Sequence, residues 1–201
     1  MLKVIGHPRS RAMRVVWMLE ELGEPYELDP CPPQGAAIRV VNPAGKIPAL
    51  VMDEEVLLDS VAIVTFLADR AGRFTAPAGT LARARQDAAT QFCVDEVEGA
   101  LWLAGRHSFV LPEDKRVPQV KETARWEFAR AMATLERRLK GSEFVAGDGF
   151  SVPDLLLGHA YGWAKAAKFE TPETGPLADY FARLRARPAF RAAMERAAAC
   201  G

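Results

Sequence analysis

The residues of this sequence that can do chemistry are concentrated in three short segments near its start. The first segment is the turn His7–Arg11, which follows a short apolar run and contains Ser10. Serine is a preferred helix N-cap, because its hydroxyl accepts hydrogen bonds from the free N–H groups of the first turn. That hydroxyl can also donate to an anion, which the positive end of a helix attracts. The turn predicts either an anion-binding site or a plain structural cap.

The second segment is Asn42–Pro48, whose last residue lies at the edge of a predicted strand. Proline cannot donate to the hydrogen-bond ladder of a sheet and is therefore confined to such positions. If the Ile47–Pro48 bond is cis, the Ile47 N–H and C=O turn away from the sheet and are free to pair with an extended, peptide-like ligand. If the bond is trans, the segment is an ordinary turn. The sequence leaves both interpretations open.

The third segment is the pair Asp59 and Ser60, at the start of a periodic apolar pattern. Ser60 and the first-turn amides of a helix would receive a carboxylate, and Asp59 would pair with an ammonium group. Together the two residues suit the headgroup of an amino acid. The alternative is a capping Ser60 beside a solvated Asp59.

Apolar runs and turn residues place the three segments in one small α/β domain. Short β-like runs are bounded by glycine, proline or charged turns, and helix-like runs have apolar residues three and four apart. The predicted elements are strand Leu2–Ile5, a helix from the turn to Gly23, strand Tyr26–Leu28, a brief helix Ala36–Val41, strands Ala49–Met52 and Val56–Leu58, and a helix from Ser60. This βαβαββα order predicts a mixed sheet with helices on its faces, the geometry of a thioredoxin-like domain.

The rest of the chain has helical periodicity. Long apolar-periodic segments cover Ala82–Trp102 and Val117–Lys140, after a linker with proline and glycine at Phe74–Thr80. We therefore expect a thioredoxin-like domain over residues 1–77 and an all-α, helical domain over residues 83–201.

One helix of the second domain has a recognisable start. Ser151 and Asp154 have the spacing of a capping box, with Asp154 in place of the usual Glu or Gln. Phe150 and Leu155 have the spacing of a hydrophobic staple. These residues predict a helix start that serves folding rather than catalysis.

Composition excludes several classes of function. The chain has 201 residues, and its 26 Lys and Arg balance its 26 Asp and Glu, giving a formal net charge of zero. No basic field draws the protein to nucleic acid, and no uncharged stretch approaches the ~18 apolar residues of a membrane span. We predict no nucleic-acid partner and no membrane partner, and we expect the arginines near the end of the chain to lie on exposed helix faces.

The cysteines and histidines indicate in which compartment the protein acts and whether it binds a metal. Cys31, Cys93 and Cys200 are odd in number and widely spaced, which favours a reducing compartment. No signal-peptide pattern precedes the first strand, so we predict a cytoplasmic protein. The three histidines have no paired metal-ligand spacing, and we predict no metal.

The three segments, in this order on one α/β domain, make the sequence similar to the glutathione S-transferases. The resemblance rests on Pro8–Gly23, Asn42–Leu50 and Leu58–Ile63. It extends to the linker and the helical domain, and so covers essentially the whole chain. It implies the glutathione S-transferase fold, a first domain that binds glutathione as cosubstrate, and a homodimer.

The resemblance implies that Ser10 activates the glutathione sulfur. A free thiol of pKa ~8.5 is only about 3% ionised at pH 7, so a reactive sulfur needs its thiolate stabilised. Ser10 is not a base at this pH, and its role would be to donate a hydrogen bond to the thiolate. His7, Arg9 and Arg11 are alternative sulfur contacts in the same turn, while Arg9, Arg11 and Arg14 either attract the anionic tripeptide or form a solvated helix face. The turn has no tyrosine and no cysteine, which argues against tyrosine-type chemistry and mixed-disulfide exchange.

The resemblance also implies how the rest of the tripeptide binds. Ile47 would pair its backbone with the cysteinyl unit ahead of cis-Pro48, and Lys46 would reach the glycyl carboxylate. Asp59 and Ser60 would hold the γ-glutamyl end.

The second substrate is implied to be a hydrophobic small-molecule electrophile or a peroxide, held between the domains. The candidates for its pocket are His7, Arg11, Trp102, His107 and Trp163, with core packing as the alternative for the two tryptophans. The expected function is a glutathione-dependent transferase acting in detoxification. The alternative is a non-catalytic docking module of the same fold, as in the stringent starvation protein. A maleylacetoacetate-type isomerase ranks lower, because Pro8–Ala12 lacks the Ser-Ser-Cys-Ser type turn of those enzymes.

Overall fold

A computed structural model describes residues 1–139 and 141–200 of the chain. These residues form two compact units. The first comprises Met1–Pro77 and the segment that begins at Leu184, and the second is Ala78–Arg183. None of the helices in the described residues combines the length and the apolar character needed to cross a membrane.

The elements of the first unit follow the predicted order. They are β1 (Leu2–Ile5), α1 (Ala12–Leu22), β2 (Tyr26–Asp29), α2 (Ala36–Val41), β3 (Ala49–Met52), β4 (Glu55–Leu58) and α3 (Ser60–Ala71). The strands form one sheet in the order β2-β1-β3-β4, in which β1 and β2 are parallel and the other neighbours are antiparallel. The predicted thioredoxin-like βαβαββα domain is confirmed.

Helix α1 is deeply buried in the first unit. Every residue from Ala12 to Leu19 is buried, because α1 packs against α3 and also against the last helix, α9 (Pro188–Ala199). The ring of Trp17 meets that of Phe190 in α9 edge-on, with the centroids 4.8 Å apart. The helix ends as predicted at Gly23, whose left-handed φ of 71° suits glycine.

The end of the chain belongs to the first unit, where it packs on helix α1. Arg187 donates from Nε and Nη2 to the Glu21 carboxylate of α1, at 2.5 and 2.8 Å. The sequence predicted one helical domain over residues 83–201, and the structure differs in assigning the segment from Leu184 to the first unit. The physical reason is the contact of α9 with α1, which helical periodicity alone does not reveal. Gly201 lies outside the described residues.

The second unit is helical, as predicted. Its elements are α4 (Leu81–Phe92), a π-helical segment (Cys93–Glu98), α5 (Gly99–Gly105), a second π-helical segment (Arg106–Val110), a 3-10 turn (Glu113–Lys115), α6 (Val120–Leu139), α7 (Val152–Ala166) and α8 (Pro176–Ala186). The apolar stripe predicted along α6 is buried from Ala124 to Leu139. Lys140, the predicted end of that helix, lies outside the described residues.

Asp154 is the polar centre of the second unit. Its side chain is buried and accepts hydrogen bonds from the Val145 N–H and the Ser151 N–H, each at 2.9 Å, and from the Tyr180 hydroxyl at 2.8 Å. The Ser151 hydroxyl adds a fourth bond at 3.0 Å, and the predicted capping box is present. Burial raises the pKa of the Asp154 carboxyl above its usual value, and the hydrogen bonds act in the opposite direction. The carboxyl group thus joins the start of α7 to α8.

We expect Asp154→Ala to lower the free energy of unfolding by about 3–5 kcal/mol, because each buried donor left without its acceptor costs roughly 1–3 kcal/mol. Ser151→Ala keeps the carboxylate and should cost about 1 kcal/mol. Urea unfolding followed by circular dichroism measures both values. Equal losses in the two variants would contradict the central role of Asp154.

Candidate active site

The three predicted segments meet at one end of the sheet. Ile5, at the end of β1, pairs with Ala49 at the start of β3, and Ala49 pairs with Leu58 at the end of β4. The turn after β1, the loop before β3 and the start of α3 therefore leave the sheet side by side. Residues that are distant in sequence are gathered there by strand pairing.

Ser10 lies in the turn that leads from β1 into α1. The helix starts at Ala12 with Arg11 as its N-cap residue, one residue later than predicted, because Ser10 is still part of the turn. The Ser10 Oγ nevertheless accepts from the Ala12 N–H at 3.1 Å. The same hydroxyl donates to the His7 carbonyl at 2.7 Å. This half-buried hydroxyl ties the start of the turn to the start of the helix.

His7 and Arg11 share the turn with Ser10, and both side chains are half-buried. The His7 N–H donates to the Cys31 carbonyl at 2.9 Å, which holds the turn against the loop after β2. The His7 Nδ1 accepts from the Arg9 N–H at 3.1 Å, so a neutral imidazole carries its proton on Nε2. The Nε2–H of His7 is therefore a second side-chain donor in the turn that contains Ser10.

The loop before β3 lies against the end of β1 at Gly6. The Ile47–Pro48 peptide bond is cis, which agrees with the first of the two interpretations of this segment. Gly6 has a φ of 151°, and a Cβ atom there would lie 3.0 Å from the Ala12 Cβ, 3.1 Å from the Ile47 Cβ and 3.3 Å from the Pro48 Cα. Only glycine permits this approach, since it has no side chain and adopts positive φ freely.

Asn42 shapes the loop that carries Lys46, and sequence analysis did not assign it a role. Asn42 is 8% exposed, its Nδ2 donates to the Lys46 carbonyl at 2.9 Å, and its Oδ1 accepts from the Ala44 N–H at 3.1 Å. The Lys46 side chain itself is exposed. The run Asn-Pro-Ala-Gly could have indicated this role of Asn42, because asparagine side chains often hydrogen-bond to the backbone of the turn in which they lie.

The start of α3 differs from the prediction in its capping residue. Asp59 is the N-cap, and its carboxylate accepts from the Val61 N–H at 2.9 Å and from the Ala62 N–H at 3.4 Å. Asp59 has a φ of 69°, and its side chain is exposed. Ser60, the predicted cap, is the first residue of the helix. The carboxylate of Asp59 is therefore fixed in place by the helix amides.

Ser60 is joined to α1 by a buried arginine. The side chains of Ser60 and Arg14 are 3% and 1% exposed, and the Arg14 Nη1 donates to the Ser60 Oγ at 3.2 Å. A solvated helix face was one prediction for Arg14, and it is wrong because α1 is covered on all sides. The Ser60 oxygen accepts this bond, and a serine hydroxyl can in addition donate one.

Two of the predicted pocket residues of the second unit are in contact. Trp102 of α5 and Trp163 of α7 form an edge-on pair with ring centroids 6.3 Å apart, and both are half-buried. Neither ring belongs to the fully buried core. His107 lies in the second π-helical segment, where its Nδ1 accepts from the Val117 N–H at 3.0 Å.

Among the polar side chains at this end of the sheet, those predicted to contact glutathione are two hydroxyls, one amine and one carboxylate, belonging to Ser10, Ser60, Lys46 and Asp59. Such a set suits a small peptide that carries both charges, because hydrogen bonds to ionised groups are the strong ones. Within residues 1–139 and 141–200, no group of three or more His, Cys, Asp or Glu side chains is arranged to hold a metal ion.

A four-stranded sheet of this topology, with a cis-proline before its third strand and a helical unit after it, defines a class of two-unit proteins with a thioredoxin-like first domain. The model of the glutathione S-transferase N-terminal domain matches residues 5–76, and the model of the glutathione S-transferase C-terminal domain matches residues 99–188. The chain belongs to the glutathione S-transferase family.

Curated relatives agree with this assignment. Glutathione S-transferase GstA of Escherichia coli O157:H7 is 26% identical over 157 residues, which cover 77% of this chain and 75% of the relative. The glutathione S-transferase of Silene vulgaris is 28% identical over 211 residues, which cover 94% of each protein.

Solved structures of similar proteins cover nearly the whole chain. A glutathione transferase from Methylococcus capsulatus str. Bath has a TM-score of 0.85 at 27% identity, over 98% of this chain and 99% of its own. A sphingomonad glutathione S-transferase, solved in complex with glutathione, has a TM-score of 0.84 at 26% identity, over 98% of both chains. The predicted glutathione S-transferase fold is confirmed, and the protein is an enzyme of this family with glutathione-dependent transferase activity.

We expect Gly6→Ala to weaken glutathione binding at least tenfold and to lower the free energy of unfolding by about 1–3 kcal/mol, because a methyl group there displaces Ile47 and Pro48. Gly23→Ala is the matched control, since its φ of 71° is also positive but no atom lies within 4 Å of the added Cβ. The control should cost about 1–2 kcal/mol and leave binding intact. Calorimetric titration with glutathione measures the affinity of each variant. Equal affinities of the two variants would refute the expectation.

Proposed function

We propose that this enzyme activates glutathione at the Ser10 turn for attack on a hydrophobic electrophile or a peroxide. The observation that carries the proposal is the pairing of Ile5, Ala49 and Leu58, because it gathers the three segments that the family resemblance assigns to glutathione. Glutathione supplies the nucleophile, which is its thiolate. The task of the chain is to hold the tripeptide and to stabilise that anion.

Ser10 is the proposed sulfur contact. Its hydroxyl donates to the His7 carbonyl, so it must turn from that carbonyl to donate to a thiolate. A hydrogen bond to an anion is roughly twice as strong as one to a neutral acceptor, which favours the exchange. The Ala12 N–H donates to the same oxygen, which polarises the hydroxyl as a donor, and the start of α1 adds a partial positive charge. The thiol proton leaves to solvent, since serine is not a base at neutral pH.

The other proposed contacts are supported by the exposure of Lys46 and Asp59 and by the position of Ile47 just outside the sheet. Ile47 lies beyond the β1–β3 ladder, which starts at Ala49, so its backbone can pair with the cysteinyl unit as an added strand would. The exposed Lys46 suits the glycyl carboxylate. The exposed Asp59 suits the γ-glutamyl ammonium group, and the Ser60 hydroxyl suits the neighbouring carboxylate.

The second substrate is proposed to be a hydrophobic small molecule, which is consistent with a role in detoxification. Within the second unit, the residues proposed to contact it are Trp102, His107 and Trp163. We further propose that the enzyme acts as a homodimer and in the cytoplasm. The described cysteines are free thiols, as expected in a reducing compartment.

Ser10→Ala should raise the pKa of the bound glutathione thiol by one unit or more, a loss of about 1.4 kcal/mol of thiolate stabilisation. In the unsubstituted enzyme, the bound thiol should titrate well below the free value of ~8.5. The ultraviolet absorbance of the thiolate, followed against pH with glutathione bound, measures both titrations.

The matched control is Ser142→Ala, which removes an exposed hydroxyl from the second unit and should leave the titration unchanged. If Ser10→Ala binds glutathione with an unaltered thiol pKa, the sulfur contact is another group of the turn, with His7 and Arg11 next. If the unsubstituted protein binds no glutathione, the proposal fails.

Asp59→Asn should raise the KM for glutathione about tenfold and leave kcat nearly unchanged, because it removes a charge that binds ground state and transition state alike. Asparagine also caps helices, so the start of α3 is retained. Asp53→Asn is the control, since Asp53 is likewise exposed with a positive φ, of 53°. Steady-state kinetics at varied glutathione concentration give the result, and an equal rise in KM for both variants would point to a general loss of charge.

The non-catalytic docking module is not favoured. The curated relatives that match the chain are themselves glutathione S-transferases. Retention on immobilised glutathione separates the two functions, because a docking module has no need to bind the tripeptide.

A further inference from the structure

Two loops of the first unit meet at Gly45. Gly45 is buried, although its neighbours Ala44 and Lys46 are exposed. It has a φ of 64°, and a Cβ atom there would lie 2.5 Å from the Oε1 of Gln34. The side chain of Gln34, which belongs to the loop between β2 and α2, therefore covers the Gly45 backbone. Only glycine allows this contact, because a Cβ atom would displace the Gln34 amide.

Gln34 bonds to the loop of Gly45 through both its backbone and its side chain. Its N–H donates to the Gly45 carbonyl at 2.8 Å, and its Nε2 donates to the Ala44 carbonyl at 3.0 Å. Gln34 itself has a φ of 66°, a conformation that residues other than glycine seldom adopt. Such conformations are unfavourable by themselves and persist where the surrounding contacts hold them, often at functional sites. The bonds to Ala44 and Gly45 are contacts of this kind.

Arg39 of α2 fixes the orientation of the Gln34 amide. The Arg39 Nε donates to the Gln34 carbonyl at 3.1 Å, and its Nη2 donates to the Gln34 Oε1 at 2.6 Å. Because the amide oxygen accepts from Arg39, the amide nitrogen is the group that faces the Ala44 carbonyl. Within residues 1–139 and 141–200, no carboxylate forms an ion pair with Arg39. The donors of Arg39 are thus directed at Gln34 rather than at an acidic side chain.

The loop that Gln34 holds leads directly to the residues proposed for glutathione. Asn42 bonds to the same loop, since its Oδ1 accepts from the Ala44 N–H and its Nδ2 donates to the Lys46 carbonyl. The backbone from Ala44 to Lys46 is therefore fixed by two side chains. Ile47 comes next, and its backbone N–H and C=O form no hydrogen bond within the described part of the chain. The loop is held up to Lys46 and keeps its free backbone groups at Ile47.

We propose that Gln34 and Arg39 are positioning residues for glutathione. They hold the loop Asn42–Pro48 in the conformation that binds the tripeptide and that lets Lys46 reach the glycyl carboxylate. The inference rests on the proposed function, because it requires glutathione to bind this loop. Arg39 acts through Gln34, and neither side chain contacts the ligand. Residues that bind a ligand are most precise when a surrounding layer of hydrogen bonds fixes them.

The first experiment compares glutathione with γ-glutamylcysteine, which lacks the glycyl unit, by calorimetric titration of the full chain. Gln34→Met keeps the length of the side chain and removes its hydrogen bonds. It should weaken glutathione binding about tenfold and γ-glutamylcysteine binding less than about threefold, because only glutathione has a glycyl carboxylate for Lys46. An equal loss for both ligands would indicate a general disturbance of the unit and would overturn the proposal.

The second experiment is a double-mutant cycle. Arg39→Met should weaken glutathione binding by about the same factor as Gln34→Met, and the double variant should bind no more weakly than Gln34→Met alone. If the two losses multiply instead, Arg39 contacts glutathione directly and the positioning role is wrong. Arg70→Met is the control, because Arg70 is also an exposed arginine of the first unit and lies 3.8 Å from the Glu24 carboxylate. It should leave both affinities unchanged.

These results separate the inference from the proposed function. Gln34 and Arg39 are exposed, so the variants should fold with melting temperatures close to that of the unsubstituted protein. If the unsubstituted protein binds glutathione and Gln34→Met binds it equally well, the inference fails and the proposed function stands. If the unsubstituted protein binds no glutathione, both fail together.

Discussion

The antiparallel pairing of β3 with β1 and β4 is the constraint on which the candidate active site depends. Side chains alternate between the two faces of a strand, so a slip of one residue would turn the inward side chains of β3 outward. Burial prevents that slip, because the paired residues Val4 and Leu50 are both completely buried. With the register fixed, the Ser10 turn, the loop that ends in Pro48 and the capping Asp59 leave the sheet at one end. The polar groups of the site are thus positioned by apolar packing several residues away.

Helix α1 connects this end of the sheet to the rest of the first unit. The Ala12 N–H in its first turn donates to the Ser10 hydroxyl, and the buried Arg14 donates to Ser60. In its last turn, Glu21 pairs with Arg187, just before α9. Removing one partner from such a buried pair is costly, because the remaining group stays desolvated and unpaired. These contacts give α1 one orientation, and the orientation of α1 determines where the Ser10 hydroxyl lies.

Two buried polar groups of the second unit differ in how many hydrogen bonds they form. The Asp154 carboxylate has four donors from its own chain, so it belongs to the folding of the unit. The Arg106 Nε is buried and has no acceptor among the described residues. A polar group that stabilises the fold is satisfied within the chain, as Asp154 is.

The sequence by itself determined the order of the elements and the three segments of the site, because both have local signals. The helix stop at Gly23 and the capping box at Ser151 depend on residues within one turn of each other. The burial of Arg14, the packing of α9 on α1 and the missing acceptor of Arg106 were decided by the tertiary structure alone. Arg14 contacts a residue 46 positions away, and Arg187 contacts one 166 positions away. No local pattern encodes such contacts, since they depend on which faces of distant elements pack together and on what that packing leaves exposed.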